Sequence, residues 1–271
     1  AGAIASFIAA GTAYATFAVP MIPFYIFYSM FGFQRVGDMI WASADMMARG
    51  FLLGGTAGRT TLNGEGLQHQ DGHSPILAST VPSVRTYDPA FAWEMAVLVR
   101  FGIQRMFVED HDELFYLMMY NEALPMPARP AHDDLDEGVV RGGYLLESAA
   151  GDGPRVNLLG SGTILFEVMQ AAETLREEGY SVAVYSITSY IELARDAERA
   201  EQADAADAES AWLDTIFPET DVPIVAATDY VRALPRMIAS WINGPFTALG
   251  TDGFGMSERR SDLRAHFKVD A

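Results

Sequence analysis

The first 34 residues carry no charged side chain, and few structures can accommodate such a stretch. It predicts either a membrane segment or elements buried in a protein core. Pro20 and Pro23 interrupt the apolar run and no basic residues precede it, which argues against a spanning helix and a signal peptide. We therefore predict a buried helix over residues 3–16 and a strand over residues 23–28. That strand is apolar on both faces, as in parallel sheets covered by helices on both sides.

Helical and strand-like segments alternate along the rest of the chain. We predict strands over residues 50–54, 83–87, 114–120, 156–159, 181–185, 223–227 and 246–250, with helices over 35–49, 89–107, 164–178 and 232–241. Such alternation is typical of βα units. The expected fold class is α/β, with one doubly wound parallel-sheet unit over residues 1–123 and another over 151–271. Residues 124–150, which hold prolines and a run of acids, are the predicted linker.

The composition makes several classes of protein unlikely candidates. The chain has no cysteine, so it has no disulfide framework and no thiolate nucleophile, which fits a cytoplasmic protein. Lys268 is the only lysine, which disfavours Schiff-base catalysis and a P-loop. A net charge of −18 disfavours binding to nucleic acid and to anionic membranes.

Two further patterns carry little functional signal. The turn at Gly160 and Gly162 follows a predicted strand, but Leu165 stands where a dinucleotide fingerprint has its third glycine, which disfavours NAD binding. Residues 192–221 hold ten acids against two arginines. For this stretch we favour a solvated surface over a surface that recruits a partner.

Glycines and titratable side chains are concentrated in residues 58–74, the stretch Gly-Arg-Thr-Thr-Leu-Asn-Gly-Glu-Gly-Leu-Gln-His-Gln-Asp-Gly-His-Ser. Glu65, His69 and His73 are spaced by four, which on a helix would place them on one face and suggest a metal site. The interspersed glycines and Pro75 disfavour that helix. We therefore predict a shaped loop at the carboxyl end of a strand, with these three residues as candidates for proton transfer.

The alternatives to a catalytic role differ among the three residues. For His69 we favour a functional role, because a loop rich in glycine offers it little packing. For His73 a functional and a structural role are both open. Glu65 fits equally a loop anchor that accepts hydrogen bonds from amides and a group that handles protons.

The same loop resembles the active-site loop of the homodimeric-type E1 component of the pyruvate dehydrogenase complex, a thiamine-diphosphate enzyme of the transketolase-like superfamily. Further blocks stand in that family's order, namely Ile22–Arg35, Tyr87-Asp-Pro-Ala-Phe91, Asn121-Glu122, Leu193-Ala-Arg-Asp196 and Leu249-Gly-Thr-Asp-Gly-Phe-Gly255. The resemblance implies part of a pyrimidine-binding domain followed by most of a transketolase C-terminal-like domain.

The resemblance also implies a function and a site. The parent protein is expected to decarboxylate pyruvate oxidatively on thiamine diphosphate, to acetylate the lipoyl group of E2 dihydrolipoyl acetyltransferase, and to form a homodimer. Glu65 and His69 would line the substrate side of the cofactor, with His73 as a third catalytic candidate. Tyr28 and Phe31, otherwise core aromatics, would pack on and near its aminopyrimidine ring, since an aromatic face suits a flat heterocycle.

The sequence departs from the family's pattern at the cofactor's anchors. It has no Gly-Asp-Gly motif followed by a suitably placed asparagine, and the glutamate that activates the pyrimidine would stand immediately before Ala1. We therefore expect the Mg²⁺ ligands in an N-terminal domain outside this chain, and an inactive isolated fragment. The alternative is a non-catalytic remnant, or an oligomerisation or E2-docking module.

Overall fold

A computed structural model describes residues 2–62, 66–131, 134–203 and 210–271. The described strands form two sheets, one in each half of the chain. The described α-helices are α1 (Gly2–Gly11), α2 (Ala13–Phe17), α3 (Phe33–Asp45), α4 (Ser74–Ser79), α5 (Ala92–Ile103), α6 (Leu135–Arg141), α7 (Ile164–Glu177), α8 (Tyr190–Gln202), α9 (Trp212–Ile216), α10 (Ala233–Arg236) and α11 (Arg260–Phe267). The predicted α/β class with parallel-sheet units is confirmed.

The first sheet is entirely parallel. Its strands are β1 (Phe24–Tyr28), β2 (Gly50–Gly55), β3 (Val84–Tyr87) and β4 (Leu114–Met118), in the order β1-β2-β4-β3. Every residue of β4 is buried, because this strand is central and helices cover both of its faces. All four strands end at one edge of the sheet, where the loop that follows β2 begins.

The beginning of the chain is less buried than predicted. In α1 only Ile4, Phe7 and Gly11 are buried, and on β1 the side chains of Phe24 and Ile26 are exposed. The prediction of a fully buried helix and strand is therefore wrong for one face of each element. The reason is that β1 pairs only with β2 among the described strands and packs one of its two faces on the core.

The second sheet is mixed. Its strands are β5 (Tyr144–Glu147), β6 (Arg155–Gly160), β7 (Ser181–Ser186), β8 (Ile224–Ala227) and β9 (Phe246–Leu249), in the order β5-β7-β6-β8-β9. Strand β5 runs antiparallel to β7, and the other pairs are parallel. Again the parallel strands bring their carboxyl ends to one edge.

The predicted linker contains regular structure. Both α6 and β5 lie within residues 124–150, and β5 is a strand of the second sheet. Leu135 and Val139 of α6 share a buried cluster with Phe115 of β4 and with Tyr144 of β5. The linker range therefore contributes to the packing of both units.

Side chains of α8 and α5 join the two units. Glu192 on α8 is buried and pairs with Arg85 of β3 at 2.9 Å, so this part of the acidic stretch is not the solvated surface that we favoured. Residues 204–209 of that stretch lie outside the described residues. Glu94 of α5 is also buried and accepts hydrogen bonds at 2.7 Å from the hydroxyls of Tyr144 and Ser186. Together these contacts bring the carboxyl edges of the two sheets next to each other.

Two other features bear on the predictions. The predicted helix over residues 232–241 is shorter, since α10 ends at Arg236 and is followed by a 3₁₀ turn at Ala239–Trp241. None of the helices in the described ranges is both long enough and apolar enough to cross a membrane.

Candidate active site

Three aromatic rings meet at the edge of the first sheet. The ring centroid of His69 lies 5.1 Å from that of Tyr28 and 5.5 Å from that of Phe31, and the centroids of Tyr28 and Phe31 are 5.8 Å apart. All three side chains are partly exposed. We call these three residues the ring cluster. The structure thus places two predicted cofactor-binding residues in contact with a predicted catalytic residue.

The topology explains why the ring cluster forms. Tyr28 ends β1 and Phe31 lies in the 3₁₀ turn Ser29–Phe31 that follows it. His69 ends a second 3₁₀ turn, Leu67–His69, in the loop after β2. Because β1 and β2 are parallel neighbours, both turns emerge at the same edge of the sheet.

The catalytic candidate His73 lies apart from the ring cluster. His73 directly precedes α4, and its ring contacts the side-chain amide of Gln34 on α3. Glu65 lies outside the described residues, so both interpretations of its role stay open. His69 and His73 do not share one helix, as the alternative metal site required. Within the described ranges, no group of three or more histidine, cysteine or acidic side chains is arranged to hold a metal ion.

Asp71 gives the loop its shape. Its carboxylate is fully buried and accepts a hydrogen bond from the Ser29 hydroxyl at 2.5 Å, and from the amides of His73 at 3.1 Å and Ser74 at 3.0 Å. Its own amide donates to the carbonyl of Gly58 at 3.1 Å, which closes the loop on itself. Sequence reasoning missed this residue, although an aspartate just before a helix start is a recognisable capping signal.

The second unit holds the beginning of the loop through Asp229, which follows β8. The Asp229 carboxylate accepts hydrogen bonds from the amides of Thr60 and Thr61 at 2.8 and 3.2 Å, and from their hydroxyls at 2.6 and 2.8 Å. Burial raises the pKa of the Asp229 carboxyl, and the hydrogen bonds from Thr60 oppose that rise. Sequence reasoning missed Asp229 as well.

The second unit also holds the end of the loop. The Gln70 side chain forms two hydrogen bonds with the backbone of Met256, from its amide to the carbonyl at 2.6 Å and from the Met256 amide to its oxygen at 2.8 Å. The amide of Val231 donates to the carbonyl of Gly72 at 2.8 Å. Loops after β8 and β9 therefore contact both ends of the loop that carries His69.

A further buried carboxylate, that of Asp88, lies at the junction of the units. Asp88 follows β3 and accepts a hydrogen bond from the Tyr120 hydroxyl, which lies 3.3 Å from the hydroxyl of Tyr230. Burial raises the pKa of the Asp88 carboxyl to about 7, and the nearby carboxylates of Asp229 and Glu94 act in the same direction. The junction of the two units thus contains a carboxyl group with a raised pKa.

The chemistry available at the site follows from its side chains. An imidazole can give or take a proton near neutral pH, and two aromatic rings offer a face to a flat apolar ligand. The imidazole and the two aromatic rings are held at the carboxyl edge of a parallel sheet, where ligands of α/β proteins bind.

Two family models match the chain. Residues 1–127 match the pyruvate dehydrogenase E1 component middle domain. Residues 142–270 match the transketolase-like TK C-terminal domain. The second match begins inside the range predicted as a linker, near the start of β5.

Curated relatives match the whole chain. It is 51% identical to the pyruvate dehydrogenase E1 component of Corynebacterium glutamicum, covering 100% of this chain and 30% of that protein. It is 48% identical to the pyruvate dehydrogenase E1 component of Escherichia coli K12, covering 100% of this chain and 31% of that protein. The chain therefore spans about a third of the length of these relatives.

Solved structures agree in fold. Transketolase from Campylobacter jejuni superposes with a TM-score of 0.68 at 17% identity, over 97% of this chain and 36% of that one. A split-gene transketolase, described as an inactive beta4 tetramer, superposes with a TM-score of 0.68 at 16% identity, over 96% of this chain and 76% of that one. At such identities the likeness shows the fold alone.

Proposed function

We propose that this chain, which belongs to the pyruvate dehydrogenase E1 component family, supplies substrate-facing and cofactor-facing side chains of a thiamine-diphosphate enzyme. The whole protein decarboxylates pyruvate oxidatively and transfers the acetyl group to the lipoyl group of E2 dihydrolipoyl acetyltransferase. The observation that carries the proposal is the ring cluster, in which a candidate proton-transfer residue touches two aromatic rings. The relatives that match the entire chain at 44–51% identity support the choice of substrate.

The side chains present fit one part of the cofactor. Thiamine diphosphate, when bound, supplies the carbanion-stabilising chemistry that decarboxylation of a 2-oxo acid requires. Tyr28 and Phe31 are partly exposed aromatic side chains, and they suit the flat aminopyrimidine ring. We assign the Mg²⁺ and diphosphate contacts to a part of the whole protein that precedes this chain.

His69 is assigned the proton transfer. Its Nδ1 atom is buried, so Nε2 is the ring nitrogen that we assign to the substrate. A proton held at Nε2 would be given to, or taken from, the reacting oxygen atoms of the 2-oxo acid. Tyr28 and Phe31 pack against the imidazole and restrict its rotation. Glu65, four residues earlier in the same loop, is a second candidate for this chemistry.

We place the whole protein in the cytoplasm as a homodimer. The lack of cysteine in this chain suits a reducing compartment. The net charge of −18 on this chain suits docking to a basic region of E2.

One observation favours the alternative of a non-catalytic module. The chain exposes large apolar side chains near its beginning, with Phe17 of α2 at 73% and Ile26 of β1 at 65% exposure. Exposed apolar patches favour self-association, so the isolated chain could form an inactive oligomer.

The decisive experiment assays the whole protein and the isolated chain side by side. We expect the whole protein, with thiamine diphosphate and Mg²⁺, to release CO₂ from pyruvate and to acetylate an isolated lipoyl domain, as measured by mass spectrometry. A whole protein that binds the cofactor but turns over neither pyruvate nor other 2-oxo acids would contradict the proposal. Light scattering on the isolated chain tests the alternative, because a self-associating chain would give a mass that is a multiple of 29.6 kDa.

A further inference from the structure

We propose that Asp229 is a positioning residue, which holds the loop of residues 58–74 from the second unit and so presents His69 at the ring cluster. The catalytic part of this inference rests on the function proposed above. The structural part, that Asp229 fixes the loop, stands on the contacts alone.

Four hydrogen-bond donors of the loop converge on one carboxylate. Both amides and both hydroxyls of Thr60 and Thr61 point to Asp229, at 2.6 to 3.2 Å. Asp229 and both threonines are fully buried. Among the residues that the structure describes, no basic side chain forms an ion pair with Asp229. A buried carboxylate is costly unless it is well hydrogen-bonded, so this one depends on the loop for its partners.

The backbone of the loop also passes close to Asp229 at Gly58. Gly58 has φ +84°, and a Cβ atom at this residue would lie 2.2 Å from Asp229 Oδ2. The backbone therefore passes so close to the carboxylate that only glycine fits, and glycine also tolerates the left-handed conformation. The loop and the second unit are thus complementary at the point where they meet.

His69 lies between two segments of the loop that the second unit holds. Asp229 holds the loop near its start, and the hydrogen bond from Val231 to Gly72 holds it near its end. Gln70, the residue after His69, is fixed to the backbone of Met256 by two hydrogen bonds. Val231 is only two residues from Asp229, so one segment of the second unit holds both ends of the loop.

A kinetic consequence follows from this arrangement. Tyr28 and Phe31 lie outside the loop, so Asp229 does not hold them directly. Release of the loop displaces the catalytic candidates that it carries, His69 among them. A displacement of a catalytic group by 1 Å can lower the rate by about 10²-fold. We therefore expect loss of Asp229 to lower kcat with little change in KM or in cofactor affinity.

Hydrogen–deuterium exchange on the whole protein tests the structural part. We expect Asp229→Asn to speed exchange in the peptide that covers residues 58–74 by about tenfold or more, because the carboxamide offers a donor where the loop also offers donors. Asp214→Asn is the matched control, since it removes the same charge from an exposed site on α9. Unchanged loop exchange in a folded Asp229→Asn chain would overturn the proposal.

A second pair of variants tests the same contact if Asp229→Asn fails to fold. Thr60→Val removes one hydroxyl that donates to Asp229 and keeps the volume of the side chain, whereas Thr60→Ser keeps the hydroxyl. We expect faster loop exchange in Thr60→Val and near-normal exchange in Thr60→Ser. Equal exchange in the two variants would show that this contact does not hold the loop.

Kinetics of the whole protein test the catalytic part. We expect Asp229→Asn and Thr60→Val to lower kcat, Asp229→Asn by about 10²-fold, with KM within about threefold of wild type, and Thr60→Ser to restore turnover. Faster loop exchange with unchanged kcat would overturn the positioning role of Asp229. A wild-type protein that does not turn over pyruvate would instead contradict the proposed function, while the exchange result still decides whether Asp229 holds the loop.

Discussion

The imidazole of His69 lies edge-on to the ring of Phe31, with the ring centroids 5.5 Å apart and the planes at 85°. Phe31 comes from the turn after β1 and His69 from the loop after β2, so two neighbouring parallel strands bring them together. Edge-to-face pairs of this kind fix the orientation of both rings. The contact joins the side chain assigned to proton transfer with one assigned to the cofactor, and mutation can separate the two roles.

We predict that His69→Ala in the whole protein greatly lowers turnover and weakens cofactor binding only slightly. Loss of a general acid or base typically lowers the rate by about 10² to 10⁴. The aromatic faces of Tyr28 and Phe31 remain in this variant, so the cofactor should bind with nearly normal affinity. Single-turnover decarboxylation of pyruvate and calorimetry with thiamine diphosphate measure the two effects separately.

The matched control for this experiment is His111→Ala, which removes an imidazole that is about half exposed and pairs with Glu109. We expect it to keep wild-type turnover. If His69→Ala kept near-normal turnover but melted at a lower temperature, His69 would be a packing residue of the loop.

We predict that Phe31→Ala weakens binding of thiamine diphosphate without removing turnover at saturating cofactor. Aromatic pairs contribute about 0.5–1.5 kcal/mol beyond buried area, which corresponds to about two- to tenfold in Kd. Calorimetry in the presence of Mg²⁺ measures the change. Phe17→Ala removes an exposed aromatic side chain elsewhere and should leave Kd unchanged. Equal Kd values for Phe31→Ala and wild type would exclude Phe31 from the cofactor site.

Local patterns in the sequence predicted most regular elements closely. The predicted strand over residues 50–54 is β2 at Gly50–Gly55, and the predicted helix over 164–178 is α7 at Ile164–Glu177. Burial was harder to predict, because it depends on neighbours that a local pattern does not contain. The apolar residues of β1 predict two covered faces, but Ile26 is exposed where the described part of the sheet ends. Likewise, α6 and β5 were missed because they are short and follow a segment rich in proline.

Only part of the candidate site could be predicted, because the rest depends on neighbours that are distant in the sequence. Histidines in a loop rich in glycine are visible in the sequence, and the family resemblance added Tyr28 and Phe31. The role of Asp229 depends on its contact with Thr60, which lies 169 positions earlier in the chain. No local pattern in one sequence reveals a partner at that distance. The catalytic roles of His69, Glu65 and His73 stay predictions until they are measured.

We predict that Gly58→Ala destabilises the chain and loosens the loop. A Cβ atom at this residue would lie 2.2 Å from Asp229 Oδ2, and its φ of +84° is unfavourable for alanine. Backbone strain of this kind costs about 1–3 kcal/mol, and displacement of the carboxylate adds to it. Urea unfolding measures the loss. The control is Gly37→Ala in the helix α3, where a Cβ atom meets no other atom within 4 Å. Because alanine favours a helix over glycine, we expect this variant to be more stable than wild type by up to about 1 kcal/mol. Equal stability of Gly58→Ala and wild type would show that the loop can move away from Asp229.

We predict that Asp88→Asn stabilises the chain at pH 8 more than at pH 5. Burial raises the pKa of the Asp88 carboxyl in the folded chain to about 7, while an unfolded aspartate has a pKa of about 3.9. Between about pH 4 and pH 7 the folded state therefore binds a proton that the unfolded state has lost, so ionisation of Asp88 destabilises the fold increasingly as the pH rises. Asparagine keeps an acceptor for the Tyr120 hydroxyl and removes the charge, so the variant does not carry this penalty. The penalty is at most about 4 kcal/mol for a pKa shift of this size.

The free energy of unfolding in urea, measured for both proteins at the two pH values, checks the prediction. Asp214→Asn, which changes an exposed carboxyl, should show no such dependence. If the difference between Asp88→Asn and wild type were the same at pH 5 and pH 8, the Asp88 carboxyl would have an ordinary pKa in the folded chain.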